Sequence, residues 1–319
     1  MKAVFLDYAT VGSDELDISP LLKLLPSLKV FDNTAPDEVV ERIAGVEVIF
    51  ANKVRLTREI LDQSDAVRFI GLTATGVDNV DLAAAKEHGV AVCNIKAYCT
   101  QSVVEHVFAV LLNLSHSISR YNQSVRAGNW QKASDFCMLE FPLRELSAMT
   151  IGIVGHGVLG RGVEKIARQF GMSVLIARRL GLDATADDDR TDLQDLLQQS
   201  DVVSLHCPLT DETRGLIGAA ELRLMQPNAI LINTARGGLV DSEALVDALS
   251  SGEISAAAID VLPQEPPVDG NPLLDYVGDN LIVTPHIAWG TIEARQNAIV
   301  ESALNVAAFL AGEERNRVV

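Results

Sequence analysis

Apolar runs such as "KAVFLD", "LKVFD", "VEVIFAN", "VRFIGLTA" and "VAVCNI" alternate with segments of helical spacing, among them "PDEVVERIA", "TREILDQS" and "NVDLAAAKEHG". The runs are apolar nearly throughout rather than alternating apolar and polar. That is the pattern of strands covered on both faces, as in a parallel sheet whose crossovers are helices. A long stretch follows, "TQSVVEHVFAVLLNLSHSISRYNQSVRAGNW", free of Gly and Pro between Thr100 and Ala127. It predicts one continuous helix of about 40 Å at about 1.5 Å per residue, stopped by "AGNW". After "LSAMTIGIVGHGVLG" the alternation restarts through "MSVLIA", "DVVSLHCPL", "AILINTA", "AAAIDVL" and "LIVTPHI". A last helical segment, "TIEARQNAIVESALNVAAFLAGE", has no strand after it and is expected to pack on the first domain. The pattern predicts an α/β protein with two doubly wound parallel sheets.

Composition changes this picture little. The 319 residues are 48% hydrophobic and 22% charged, enough for two domains with real cores. The formal net charge of -17 argues against general nucleic-acid or anionic-membrane binding and makes local cationic clusters informative. The opening "MKAVFLDYAT" is too short an apolar run for a secretory signal, and the longest apolar stretch carries Glu105 and His106 and falls short of a membrane span. Cys93, Cys99, Cys137 and Cys207 form no metal-ligand spacing and read as reduced structural thiols. A soluble cytoplasmic protein with no catalytic metal is expected.

Candidate chemistry begins at "GHGVLG", preceded by the apolar "MTIGIV" and followed by the helical "RGVEKIARQF". Gly155 permits a tight turn, Gly157 lets a pyrophosphate approach the backbone, and Gly160 lets helix pack on strand. The helix N–H groups near Val158 and Leu159 then face the phosphates. In such sites the second strand ends in an acidic residue that grips the adenosine ribose. Here it ends in Arg178 and Arg179. Arginine cannot accept a hydrogen bond, but its planar fork suits a phosphate. The pair therefore favours NADP(H), with NAD(H) as the alternative. The plain reading is two surface arginines facing the acidic "DATADDD" nearby.

Three polar residues follow apolar strands in the second domain: Arg236 in "LINTARGGLVD", Glu265 in "IDVLPQEPP" and His286 in "IVTPHIAWG". Singly, each has an ordinary explanation as a salt-bridge partner, a loop carboxylate or a satisfied histidine. As a set they can hold a carboxylate, polarise a carbonyl and move a proton. That suits interconversion of a 2-oxo acid and a 2-hydroxy acid beside a nicotinamide.

The chain resembles the D-isomer-specific 2-hydroxyacid dehydrogenases over nearly its whole length, through "TIGIVGHGVLG", "DVVSLHCPLTDETRGLIG", "MQPNAILINTARGGLVDSEALVDAL" and "AAAIDVLPQEP" in order. Through "ANKV", "TATGVDNVDL", "AVCNIKAY" and "NRVV" it is most similar to the glycerate dehydrogenase/hydroxypyruvate reductase and glyoxylate reductase branch. The resemblance implies a Rossmann cofactor domain, residues 99–287, inserted into a flavodoxin-like substrate domain, residues 1–98 and 288–319. It implies that Arg236 binds the substrate carboxylate and carbonyl, that His286 protonates the carbonyl oxygen, and that Glu265 holds His286 and its positive charge. Lys53, the backbone of Thr75 and Gly76, and Trp289 would line the substrate. Cys207, Pro208, Thr213, Thr234, Ala235 and Asp260 would line the cofactor with Arg236 and His286, Asp260 near the nicotinamide amide. Relatives pair as homodimers through the cofactor domain.

Two departures stand out: Arg178 replaces the acidic residue of NAD-preferring members, and "SAMT" lacks a glycine common before the first cofactor strand. Formate dehydrogenases of this superfamily carry glutamine where Glu265 stands, so Glu265 favours acid–base chemistry. The expected activity is reduction of hydroxypyruvate or glyoxylate to the D-2-hydroxy acid or glycolate. The alternatives are a D-3-phosphoglycerate dehydrogenase, disfavoured by the absence of a regulatory extension, and a cofactor-sensing protein of corepressor type. His106 and His206 read as packing residues, and His156 in the glycine turn as pointing to solvent. Trp130 is a weaker candidate than Trp289 for the substrate border.

Overall fold

The computed structural model describes residues 1–12, 15–179, 181 and 189–319. The chain divides into two compact units, Met1–Cys99 with Trp289–Val319, and Thr100–Ala288.

In the first unit, β1 (Ala3–Phe5), β2 (Leu28–Val30), β3 (Val48–Ala51), β4 (Phe69–Leu72) and β5 (Ala91–Cys93) form a parallel sheet in the order β2-β1-β3-β4-β5. This is the flavodoxin-like order. Strand period divides the side chains into two cores. Val4, Ile49, Ile70 and Val92 pack with Val39, Ile43, Leu61 and Ala84 on one face. Ala3, Phe5, Val48, Phe50 and Phe69 pack on the other face with Leu21, Ala298, Ile299 and Val306. Leu21 comes from helix Ser19–Leu24, whereas Ala298, Ile299 and Val306 belong to helix Ile292–Ala311, which therefore closes the sheet built by the beginning of the chain. The edge strand β5 is not left open: Val318 N–H donates to the Val92 carbonyl at 2.7 Å, so the chain end covers it.

The second unit holds β6 (Thr150–Val154), β7 (Ser173–Ile176), β8 (Val202–Leu205), β9 (Ile230–Asn233), β10 (Ala256–Ile259) and β11 (Leu281–Val283), all parallel, in the order β11-β10-β9-β8-β6-β7. β8, β9 and β10 are buried throughout and β6 is buried after Thr150, whereas β7 and β11 at the edges are partly exposed. One face packs on helices Leu193–Gln199, Ala219–Leu224 and Ser242–Ser251 through Leu196, Leu222 and Leu245. The other packs on Thr100–Ser115 and Val158–Gln169 through Val107, Leu111 and Val163. Among the described residues no helix is long and apolar enough to cross a membrane.

One predicted element is corrected. The continuous helix over 100–127 is two helices, Thr100–Ser115 and Ile118–Arg126, with Ser117 left-handed at φ 50° between them. The cause is local polar competition for the backbone. Ser117 Oγ donates to the Pro142 carbonyl at 3.0 Å, and Asn113 Oδ1 accepts from Ser119 N–H at 2.9 Å in place of the next helical turn.

Candidate active site

In the second sheet the connection from β6 crosses to β7 on one side, while β8 lies on the other. Ligands of open α/β sheets bind beyond the strand ends at such a reversal, and the glycine turn occupies it. Gly155 has φ +98°, and a Cβ there would lie 2.5 Å from Cys207 N, so glycine is required for conformation and for space. At Gly160 a Cβ would meet the Gly155 carbonyl oxygen at 2.1 Å. At Gly157, by contrast, a Cβ would meet nothing within 4 Å: the turn is open where a pyrophosphate would approach. Helix Val158–Gln169 starts there, with Val158 exposed. These features fit a dinucleotide.

His156 does not point to solvent. Its Nε2 lies 2.6 Å from Glu164 Oε2, and Arg161 donates to the His156 carbonyl at 3.1 Å. The side chain leans along the helix surface because an acceptor is available two turns on. The His156 hydrogen bond, with Arg168 second, holds the Glu164 carboxyl below its usual range.

Beyond β7, Arg178 and Arg179 have different surroundings. Arg178 ion-pairs with Asp192 and donates to the Arg190 carbonyl at 2.9 Å. Its backbone N–H donates to the Thr191 carbonyl at 2.8 Å. Arg179 is exposed and lies close enough to Glu212 to contribute to its lowered carboxyl pKa, after the larger effect of the Thr210 hydroxyl. Thr213 Oγ1 closes the 208–213 loop, donating to the Pro208 carbonyl at 2.8 Å and accepting from Thr210 N–H at 2.7 Å. Of "DATADDD", residues 183–188 lie outside the described residues, so its relation to the arginines is not part of the structure. His206 Nε2 lies 2.8 Å from Ser204 Oγ, and burial pushes its imidazole down to about 4. Burial also raises the half-buried Cys207 thiol.

The reactive set is assembled at the ends of three adjacent strands. Asn233, fully buried where β9 stops, accepts from Ala235 N–H at 3.0 Å and donates to the Arg236 carbonyl at 2.9 Å. It shapes the turn that presents Arg236, whose guanidinium donates to the Ala235 carbonyl at 2.7 Å. At Gly237 a Cβ would lie 2.0 Å from Leu262 C, so this turn packs directly on the loop after β10. In that loop Glu265 Oε1 accepts from Leu262 N–H at 2.8 Å, and Oε2 lies 2.6 Å from His286 Nδ1. His286 itself is held at φ 56° beyond β11, its N–H donating to the Asp260 carbonyl at 2.7 Å.

Asp260, 3% exposed, supports that turn from below. Its carboxylate accepts from the Thr284 hydroxyl at 2.5 Å and from the N–H groups of Ile287 and Ala288, both at 2.9 Å. His106 is half-buried with Nε2 3.3 Å from Thr284 Oγ1, consistent with packing. The Thr234 hydroxyl is buried with no hydrogen-bond partner among the described residues, as expected of a group awaiting a ligand. Sequence reasoning missed Asn233 and the positioning work of Asp260. Their only signal was a polar residue at the end of an apolar strand.

In the first unit, Lys53 and Thr75 follow β3 and β4. Thr75 Oγ1 donates to the Ile95 carbonyl at 2.9 Å, and its carbonyl accepts from Asn94 Nδ2 at 2.7 Å, which fixes the turn that Gly76 continues. Trp289 packs edge-on against Tyr98, ring centroids 6.2 Å apart.

Comparison with known proteins agrees with this geometry. Residues 108–288 match the family described as D-isomer specific 2-hydroxyacid dehydrogenase, NAD binding domain. The chain is 43% identical over 318 residues to a glycerate dehydrogenase of Methylorubrum extorquens, covering 99% of this chain and 98% of that protein. It is 37% identical to a hydroxypyruvate reductase of Blautia hydrogenotrophica, covering 100% and 99% respectively. Among solved structures, an acyclic imino acid reductase in complex with NADPH and D-Arg superposes with a TM-score of 0.86 at 27% identity, with full coverage of both chains. A family match over more than half the chain, full-length similarity to named oxidoreductases and the two-sheet architecture lead to one conclusion: the chain belongs to the D-isomer specific 2-hydroxyacid dehydrogenase family, enzymes that use a nicotinamide cofactor.

Proposed function

We propose that this enzyme reduces a small 2-oxo acid, hydroxypyruvate or glyoxylate, to the D-2-hydroxy acid or glycolate, and that it favours NADPH over NADH. The observation that carries the chemistry is the 2.6 Å contact between His286 Nδ1 and Glu265 Oε2, on a loop packed against the Arg236 turn. Names of relatives support the substrate class: a glycerate dehydrogenase and a hydroxypyruvate reductase stand at 43% and 37% identity. For the cofactor, the support is two arginines where an acidic residue would grip an unphosphorylated ribose, and the NADPH bound by a structural neighbour.

The roles follow from the bonding. With Nδ1–H committed to Glu265, Nε2 of His286 is the nitrogen that exchanges a proton with the substrate oxygen, and the carboxylate stabilises the imidazolium that remains after protonation in the oxidation direction. Arg236 holds the substrate carboxylate through its fork and polarises the adjacent carbonyl. In the first unit, the backbone N–H groups of Thr75 and Gly76 and the Lys53 cation are the groups suited to a small anionic substrate. A bound nicotinamide supplies the hydride. Gly157 and the first turn of the following helix receive the pyrophosphate, Thr234 and the 207–213 loop line the dinucleotide, and the exposed Arg179 meets the 2′-phosphate, with Arg178 beside it adding its charge while paired to Asp192. The enzyme works as a cytoplasmic homodimer joined through its cofactor unit.

The test compares hydroxypyruvate and glyoxylate reduction with NADPH and NADH in wild type, Arg179→Asp, Arg178→Asp and His286→Ala. The expected outcome is an NADPH preference that collapses in the arginine variants, and a fall of about 10²–10⁴ in turnover for His286→Ala with cofactor affinity retained. A wild-type preference for NADH would end the 2′-phosphate role of the arginines. Unchanged turnover in His286→Ala would remove it from proton transfer. No reduction of either acid with either cofactor would favour the cofactor-sensing alternative.

A further inference from the structure

Asp7 enters none of the roles above, although it stands at the end of β1, where the first sheet reverses between β2 and β3. The carboxylate is 3% exposed. Four contacts converge on it from three consecutive backbone N–H groups. Oδ1 accepts from Asn52 at 2.9 Å, and Oδ2 accepts from Asn52 at 3.1 Å, from Lys53 at 2.6 Å and from Val54 at 2.9 Å. The same three-residue loop is held from its carbonyl side by Asn79, whose Nδ2 donates to the Asn52 carbonyl at 3.3 Å and the Val54 carbonyl at 3.0 Å. Asn52 Nδ2 adds a bond to Thr10 Oγ1 at 2.9 Å. Nearly every polar group of the loop is thus spent internally, and what it leaves exposed is the Lys53 side chain.

A buried carboxylate is costly unless its charge is met by hydrogen bonds. Successive N–H groups converging on an anion meet that cost and become rigid in doing so. A lysine ammonium is a point charge on a flexible stem, so only the backbone that carries it can set where its charge falls. We propose that Asp7, opposed by Asn79, is a positioning residue that presents the Lys53 ammonium to the carboxylate of a small 2-oxo acid. It thereby sets substrate affinity rather than the rate of hydride transfer. The proposal rests on the substrate reading of Lys53.

The test is a double-mutant cycle in the full-length enzyme, measuring KM and kcat for hydroxypyruvate at saturating NADPH, with NADPH dissociation constants measured separately. Asp7→Asn keeps size but turns an amide NH2 toward the loop N–H groups. It is expected to raise KM about tenfold, the lower range for a hydrogen bond to a charged group, with kcat and NADPH affinity little changed. Lys53→Ala is expected to raise KM similarly, and the double variant to go no further than Lys53→Ala alone. Should Asp7→Asn fail to fold, Asn79→Ala carries the same cycle from the other side of the loop. An unchanged KM in the loop variant while Lys53→Ala raises KM would overturn the positioning role alone. Losses that multiply in the double variant would also overturn it, because a merely structural defect acts independently of Lys53. An unchanged KM in Lys53→Ala would overturn both this role and the substrate reading of Lys53.

Discussion

His206 and His286 both follow an apolar strand of one sheet, yet their surroundings separate their chemistry. His286 keeps part of its ring exposed and its Nδ1 on a carboxylate. His206 has Nδ1 buried with no hydrogen-bond partner among the described residues and Nε2 on a serine hydroxyl. Desolvation penalises its charged form and pushes it down to about 4. An unfolded histidine titrates near about 6.5. Between those values the unfolded chain binds a proton that the folded chain refuses, so His206 contributes stability above pH ~6.5 that is lost as the pH falls toward ~4. Unfolding free energies of wild type and His206→Asn, measured by denaturant titration across that range, should fall unequally, wild type losing more on the order of a few kcal/mol. Parallel losses would mean that His206 is not buried in its neutral form.

At the scale of elements, the site depends on how closely loops pack rather than on the strands themselves. The Arg236 turn and the Glu265 loop touch at Gly237, where a Cβ would meet backbone atoms, Leu262 C at 2.0 Å and Pro263 N at 2.3 Å. Backbone cannot swing aside as a flexible side chain can. Gly237→Ala should therefore push the two loops apart while both sheets persist. The expected readout is a fall in kcat on the order of 10²-fold, as a displacement of about 1 Å costs in an aligned site, with the far-UV circular dichroism unchanged. Retained kcat would show that the alignment of Arg236 with the Glu265–His286 pair tolerates such a shift.

For the whole molecule, the net charge of -17 opposes binding of an anionic dinucleotide, and local features must overcome it. The glycine turn, the open face at Gly157 and the arginines beyond β7 all lie in Thr100–Ala288, so cofactor should stabilise this unit directly. At a hundred times its dissociation constant a ligand adds about 2.7 kcal/mol. Each kcal/mol moves the midpoint of a unit of this size by about 2–4 °C. Calorimetry with NADPH should show an upward shift of that order in one transition, smaller at equal concentration with NADH. No shift with either dinucleotide would contradict a cofactor site in this unit.

Much of this protein is legible in one dimension, because some of its physics is local. Apolar runs between helical segments are enough for two parallel sheets, since only strands covered on both faces read that way. The glycine spacing is enough for a dinucleotide turn, and Arg236, Glu265 and His286 for a candidate reactive set, because backbone clearance and reactive groups are properties of residue type. The family itself was legible only as a resemblance carried by longer motifs such as "MQPNAILINTARGGLVDSEALVDAL". Competition by short polar side chains was local too, and the "NLSHSIS" segment carries it, yet no rule of periodicity says which serine will break the helix. The partners were decided only by the tertiary structure. Glu164 took His156, Asp192 took Arg178, and the carboxylates of Asp260 and Asp7 went to backbone N–H groups beyond other strands. A carboxylate in a sequence has a charge but no neighbour. Which donors converge on it depends on strand order, and strand order is fixed by long-range packing within each sheet and its covering helices.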